Sequence, residues 1–531
     1  MFSYTGDGAK NCVVTKTFED FSTKEVAAEY NLPDYLPDIS RILYTGAHIC
    51  RAGKYINGTA LEYDGSIVFT VVYCTADGIM KNVEIPSDYS GSMPVADYSG
   101  DCSVNAETTL EGVSARLQNP RKLTVKAKVR VSVDIYSAEC TSPAITGKLT
   151  EEELGNIQYK NEMIDCACRL AAADAENRVS DDIEIPTGLP QIGELVSVSF
   201  FPCMHELKAE NGFVSYKGTV LAKVLYSAMP EKESDTVKYF CHTKKIPVSG
   251  EVPAEEVTEN CFCTGNICIT SAEYRAVPST SGETRTVEAD ITCGIFIDAY
   301  CNTKSEITTD MYSVDYESAT ESKKLGYRTA LTSKSFETTQ SAYAELSDAD
   351  FSSIVCVCAK AAVTGAEKVG GKTVFSGVNE ISAILSNGAG VYLGKTFSSP
   401  FKAETDAGFV PDGFGFAAYA DVCDVSGRVD GGKLCAEVEV CINFVLFASK
   451  DAVYASSLAV NHDRVREHAV GASITMYYPS KSDTVWDIAK KYGIPRDELS
   501  ALNGISGDLP GGDVLIIPKK SAKKPIYTKI L

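Results

Sequence analysis

One short pattern occurs three times in this chain and limits what it can fold into. Gly65 opens GSIVFTVVY, Gly218 opens GTVLAKVLY and Gly377 opens GVNEISAIL, at intervals of roughly 155 residues. Each run is alternating or continuously apolar and begins at a glycine, which is a strand signature. Each follows a short strand-like stretch (KYINGTALEY, GFVSYK or GKTVFS) and precedes a proline-bearing one (VEIPSDYSG, KKIPVSGEVP or FSSPFKAE). Each then closes on a long alternating run: KLTVKAKVRVSVDIYS, RTVEADITCGIFIDAYC and KLCAEVEVCINFVLFAS, ending at Tyr136, Tyr300 and Phe447. In the first of these, Leu123, Val125, Ala127, Val129, Val131 and Val133 share one face, and Lys126, Lys128 and Arg130 share the other. A sheet with one dry and one wet face follows. The period is too long for a solenoid repeat. The same order met three times is more economical as three domains than as one barrel.

The expected architecture is therefore mainly β: three tandem sandwich- or barrel-like domains over residues 1–140, 179–305 and 346–460. Short lead-ins precede the first two. LPDYLPDISRIL carries Pro37, Asp38, Ile39, Ile42 and Leu43; IPTGLPQIGELV carries Pro190, Gln191, Ile192, Leu195 and Val196. Pro-x-Ile-x-x-Leu reads as a short helix begun by proline. The third lead-in, near DADFSSIV, lacks the prolines and marks a divergent domain. Between domains, residues 148–178 (KLTEEELGNIQYKNEMIDCACRLAAADAENR) read as an amphipathic helical linker with a solvated acidic face. Residues 306–345, rich in Ser, Thr, Lys and Glu, read as a second linker.

Composition excludes several classes. A chain of 531 residues exceeds a single core. Its net charge of −21 argues against a chain built as a whole to grip nucleic acid. No apolar run reaches the roughly 18 residues of a membrane helix. The opening MFSYTGDGAKNCVV lacks the basic and apolar regions of a secretory signal, so a cytosolic protein is expected. The 19 cysteines include no CxxC pair. The C-x-C pairs Cys166/Cys168, Cys261/Cys263 and Cys356/Cys358, like Cys435 and Cys441, read as small apolar residues on strand faces. The competing reading makes them metal thiolates supported by His205 or His242; with 5 dispersed histidines no metal site or cofactor is expected. GxSxG, HExxH and the P-loop motif are all missing from the sequence, so no catalytic residue is expected.

After Ser473 the pattern changes to ITMYYPSKSDTVWDIAKKYGIPRDELSALNGISGDLPGGDVLIIPK. A strand leads to Ser482-Asp483, suited to capping a helix. That helix, VWDIAKKY, turns Val485, Ile488 and Ala489 inward and stops at Gly493. A second helix opens at Pro495 and buries Leu499 and Leu502, and a strand closes from Val514 to Ile517. This β-α-α-β module, residues 473–518, resembles a LysM domain through Asp483, Thr484, Ile488, Ala489, Tyr492, Gly493, Leu499, Leu502, Asn503, Leu509, Gly512, Leu515, Ile517 and Pro518. It departs at Ser482, where the family has Gly, and at Val485, where it has Leu. The resemblance implies a shallow groove for N-acetylglucosamine-containing glycan, such as peptidoglycan, formed by Ser482, Asp483, Thr484 and Val485 facing Leu509, Pro510 and Gly511. Asp483 and Thr484 also suit helix capping, and Trp486 suits packing. A basic tail, residues 519–531, contains Lys519, Lys520, Lys523, Lys524 and Lys529.

The Leu32-Pro33 and Pro37-Asp38-Ile39 lead-in, the three glycine-opened strands and the terminal module together resemble SPOCS-domain proteins of spore-forming Firmicutes. That resemblance implies a non-enzymatic scaffold or adaptor in the mother cell, at the forespore surface. Its LysM module would dock on the spore coat morphogenetic ATPase, and its SPOCS units would recruit other coat or envelope proteins. The alternative is a glycan-binding protein acting through the same module.

Overall fold

The computed structural model describes residues 12–95, 102–146, 149–229, 237–280, 282–346, 350–466, 474–507 and 514–518. The first six strands are β1 (Cys12–Asn31), β2 (Arg41–Asn57), β3 (Ala60–Cys74), β4 (Met80–Pro94), β5 (Cys102–Asn119) and β6 (Lys122–Cys140). They form two antiparallel sheets, β2-β3-β4 and β1-β6-β5, so the first strand of the unit pairs with its last. The alternating apolar faces close on each other: Val26, Ala47, Phe69, Ile85, Ala106 and Val129, one from each strand in order, lie in one buried core.

A short strand β7 (Ala144–Thr146) and helix α1 (Glu151–Gly155) lead to the second set: β8 (Ile157–Glu184), β9 (Ile192–Glu210), β10 (Phe213–Ala228), β11 (Tyr239–Pro253), β12 (Phe262–Pro278) and β13 (Thr284–Ser313). The third set is β14 (Tyr316–Glu345), β15 (Ser353–Val369), β16 (Lys372–Ser386), β17 (Tyr392–Thr405), β18 (Gly415–Asp430) and β19 (Lys433–Val465). The sheets β9-β10-β11 with β8-β13-β12, and β15-β16-β17 with β14-β19-β18, repeat the first arrangement strand for strand, each pair around its own core. β7 adds in parallel to β19. Among the described residues no helix is long and apolar enough to cross a membrane.

Both expected linkers are strands. Among the described residues of 148–178 only Glu151–Gly155 is helical, capped by Thr150, which accepts from Glu153 N. From Ile157 onward the chain pairs along β13, burying Ile164 and Cys166. The Ala/Glu-rich composition favours a helix, but a continuous ladder with a neighbouring strand outweighs local propensity. Residues 306–345 are the end of β13, a tight turn and β14, which pairs with β19 over its whole length. The repeating units accordingly span 12–140, 157–313 and 316–465, the second and third longer than the 179–305 and 346–460 drawn from the glycine-opened runs.

The lead-ins are turns rather than helices. Leu36 N donates to Pro33 O, and Leu189 N donates to Pro186 O. Residues before proline are pushed out of the helical region, which the Leu-Pro pairs exploit. The turn carbonyls are held by arginine: Arg121 donates to the oxygens of Leu32, Pro33 and Leu36 at 3.2, 2.9 and 3.3 Å. Arg285 donates to Pro186 O and Leu189 O at 3.3 and 2.9 Å. A tyrosine completes each clamp, Tyr73 on Pro37 O and Tyr226 on Pro190 O. In the third unit Gly432 and Leu385 occupy the places of the arginine and the tyrosine, so prolines, arginine and tyrosine are missing together. Replacing Arg121 by alanine is expected to cost about 2 kcal/mol in chemical unfolding, and lysine should not restore it, because one ammonium cannot reach three carbonyls. A loss below about 0.5 kcal/mol would contradict the clamp.

The three units meet at positions equivalent by the repeat. Leu43, Val196 and Val355 are each the extra residue of a β-bulge, skipped in the register of β2, β9 and β15. Bulges re-aim side chains, and these three join Val72, Leu225, Ile384, Met80, Tyr239 and Tyr392 in one apolar cluster. Hydrogen bonds close the ring: Tyr239 OH accepts from Met80 N (2.7 Å), Tyr392 OH donates to Val237 O (3.3 Å), and Arg41 donates to Tyr392 O (3.0 Å).

Candidate functional site

The last module consists of β20 (Ile474–Tyr477), α2 (Val485–Tyr492), α3 (Arg496–Leu502) and β21 (Leu515–Pro518), with β20 and β21 antiparallel. Thr484, not Ser482 or Asp483, caps α2. It accepts from Asp487 N at 3.2 Å, while the Asp487 carboxylate accepts from Thr484 N and Oγ1 at 3.2 and 2.6 Å. The reciprocal acid three residues on, Asp487, selects Thr484 as the cap. Gly493 ends α2 with φ 64° and ψ 44°, the left-handed conformation a glycine cap adopts.

Asp483 instead shapes the β20–α2 loop. Its carboxylate accepts from Ser480 N at 2.8 Å and Tyr477 OH at 2.9 Å, and these donors hold its pKa below the usual aspartate value. Ser482 is exposed and lies 3.1 Å from the Ser480 hydroxyl. Thr484 is exposed, whereas the Val485 side chain is buried in the domain core, so it faces away from any open groove. Leu509, Pro510 and Gly511 lie outside the described residues, as does the lysine-bearing tail. Leu499 is buried as expected, but Leu502 is 48% exposed because α3 turns it outward. Two residues missed in the sequence stand beside the loop: Met476 and Tyr478, 66% and 73% exposed.

The inner face of α2 is not free. Trp486 packs edge-on against Tyr312 with ring centroids 4.9 Å apart, and its indole N–H donates to Asp310 Oδ2 at 2.8 Å. Lys490 Nζ reaches both oxygens of Asp310 at 2.6 and 2.7 Å. Tyr312 OH donates to Ile494 O, and Arg466 donates to Lys490 O and Tyr316 O. Tyr312 and Val314 thereby belong to the same apolar core as Val485, Ile488, Ala489, Leu499, Leu515 and Ile517. Burial opposes ionisation of Asp310, but Lys490 and Trp486 outweigh it and hold its carboxyl below the usual range. The module is thus fixed to the second unit through α2, and its β20–α2 loop points outward. The docking residues sit in the stretch read from sequence as a linker; the sole hint was a tryptophan needing a partner for its N–H.

The LysM domain family matches residues 480–518. No curated protein and no solved structure matches the chain. The class this defines is a mainly β chain of three repeated units that carries a LysM domain.

Away from the LysM domain, a concavity of about 560 Å³ opens where the three units face one another, lined in part by His48, Glu84, Phe200, Tyr274, Lys360 and Asp421. Two of its polar groups are engaged by the backbone: Lys360 Nζ donates to Ala47 O at 3.0 Å, and Asp421 accepts from Met204 N at 3.0 Å. Burial lowers the Lys360 pKa and pushes that of Asp421 up to about 7.

Among the described residues no disulfide is formed. Cys166, Cys263 and Cys358 are buried on strand faces, and Cys261 is buried just before β12. Of the C-x-C pairs, Cys356 and Cys358 lie 4.0 Å apart, and Cys356 accepts from Cys241 of the second unit at 3.0 Å.

Proposed function

We propose that this chain is a non-enzymatic binding protein whose LysM domain takes an N-acetylglucosamine-containing glycan, with peptidoglycan the first candidate. The observation that supports this is the orientation of the domain: it docks through α2 and leaves Tyr478, Ser482 and the rest of the β20–α2 loop open to a ligand. The body then acts as a rigid mount. Co-sedimentation with purified peptidoglycan tests the reading. The intact chain is expected to sediment, and Tyr478→Ala or Ser482→Trp to weaken it at least about tenfold, or ~1.4 kcal/mol, without lowering the melting temperature. These exposed positions are better probes than Asp483 or Thr484, whose side chains hold the loop and cap the helix. Absence of sedimentation by the intact chain would overturn glycan recognition.

The finer reading is a scaffold for spore-envelope assembly in the mother cell, with the LysM domain recognising the coat morphogenetic ATPase. Its support is the triplicated body, which sets three similar units around one junction and suits the gathering of several envelope proteins. Deleting residues 474–518 should disperse the protein from the forespore surface; unchanged localisation would defeat this reading.

A further inference from the structure

Four potential metal ligands from two different units converge outside the LysM domain. Cys203 and His205 belong to β9 of the second unit, Cys423 to β18 and Cys441 to β19 of the third. One ligand atom from each lies within 4.8 Å of all the others. The three sulfurs are buried, at 0%, 2% and 1% exposure, and form an apolar cluster of their own. Cys203 Sγ is 2.7 Å from Cys423 Sγ and 3.9 Å from His205 Nδ1, and Cys441 Sγ donates to Met204 O at 3.2 Å.

The backbone is bent at this place to bring the side chains together. His205 is skipped in the pairing of β9 with β10, and Cys423 is skipped in the pairing of β18 with β19; each is the extra residue of a β-bulge. The same two bulges recur in the other units, where Cys50 and Thr364 stand on the second strand and Gly112 and Thr270 on the fifth. The bulges are part of the repeated architecture, and the thiols and imidazole are specific to the junction of β9 with β18. His205 is also oriented from outside the cluster: Nε2 lies 2.9 Å from Thr219 Oγ1, and donation there leaves Nδ1 directed at the sulfurs. An oriented imidazole of this kind is the usual support of a metal ligand. Glu337 Oε1 lies 2.8 Å from the same Nδ1 and accepts a hydrogen bond from it when that nitrogen is protonated and holds no metal.

We propose that Cys203, His205, Cys423 and Cys441 bind one Zn²⁺ ion that staples the second β unit to the third. Three thiolates and one imidazole are a complete tetrahedral set, and soft sulfur ligands favour zinc over calcium or magnesium. Zn–S bonds of about 2.3 Å place tetrahedral sulfurs about 3.8 Å apart, so Cys203 and Cys423 separate by about 1 Å on binding. Each thiol gives its proton to solvent as its Zn–S bond forms, the imidazole coordinates through Nδ1, and the Cys441 donation to Met204 O ends. With four protein ligands no position remains for water, so the site is structural.

The test uses the full chain without an affinity tag, produced with added zinc and purified without oxygen. Elemental analysis is expected to find close to one zinc per chain, falling below roughly a tenth in Cys441→Ser. His205→Cys, which supplies a fourth thiolate, should keep the metal even though the other variant loses it. Cobalt in place of zinc should show thiolate charge-transfer bands and the intense visible bands of a tetrahedral site. Three results would each overturn the proposal: an intact chain purified with less than roughly a tenth of a zinc, undiminished zinc in Cys441→Ser, or a Cys203–Cys423 disulfide in the protein kept from oxygen.

Discussion

Gly394→Ala is expected to destabilise the junction between the first and third units by about 3 kcal/mol, more than any other alanine at a glycine of comparable backbone conformation. Gly394 lies on β17 against β2, and a Cβ there would meet Leu43 O at 2.0 Å, its carbonyl carbon at 2.6 Å and its Cα at 2.8 Å. All three atoms are backbone, so no side chain can rotate away. Leu43 is itself the bulged residue of β2 that enters the central cluster, and displacing it disturbs contacts with all three units. Calorimetry should show the cooperative melting of the body split into separate transitions, since units that lose their common junction unfold independently. Gly365→Ala, on β15 of the same unit with nothing within 4 Å of its added Cβ, should melt within about 0.5 kcal/mol of the parent. Identical melting of Gly394→Ala and the parent would remove the junction as described.

Trp486→Ala should release the LysM domain from the body, with a loss of about 3 to 5 kcal/mol from that domain's core. Because Trp486 is the single tryptophan of the chain, docking can also be followed without touching it. Asp310→Ala removes the acceptor of the indole N–H and the partner of Lys490, and the fluorescence of Trp486 should shift to the red as the ring meets water. Acid should act in the same direction. The folded-state pKa of Asp310 is lowered, so its contribution is fully present above the ordinary aspartate value of 3.8 and is lost as pH falls through the lowered one. Neutral-to-mildly-acidic buffer should therefore leave the emission unchanged and stronger acid should shift it. An emission already red-shifted in the parent at neutral pH would contradict the docking.

Strand content was legible wherever one face is dry. The run from Leu123 to Val133 is buried at alternate positions as its pattern requires, and the LysM helices stop at Gly493 and begin after Pro495 as their residues imply. The first strands of the second and third units were not legible. β8 and β14 carry many exposed polar residues, and their pairing energy comes from strands roughly 90 to 155 residues further along the sequence. The lead-ins failed for a related reason: Arg121 and Arg285, which hold those turns, lie far along the chain from the prolines they clamp.

The candidate sites divide the same way. The β20–α2 loop was located from local spacing, because capping and turn chemistry act within a few residues. That Val485, Ile488 and Ala489 face inward was legible from helical spacing too, whereas the docking of α2 by Asp310 and Tyr312 depends on a neighbouring unit.

The three glycine-opened runs established a thrice-repeated strand order, and the chemistry behind two of those glycines is now visible. A Cβ at Gly218 would meet Cys203 O at 2.5 Å, and one at Gly377 would meet Ala362 O at 2.5 Å, beside the bulges at His205 and Thr364. Repetition, β class and the terminal α/β module follow from residue order, since periodicity and capping are local properties. Which bulge faces which, and that two cysteines of the third unit reach a cysteine and a histidine of the second, follows only from how the units pack, because contact across a junction leaves no periodic trace in either strand.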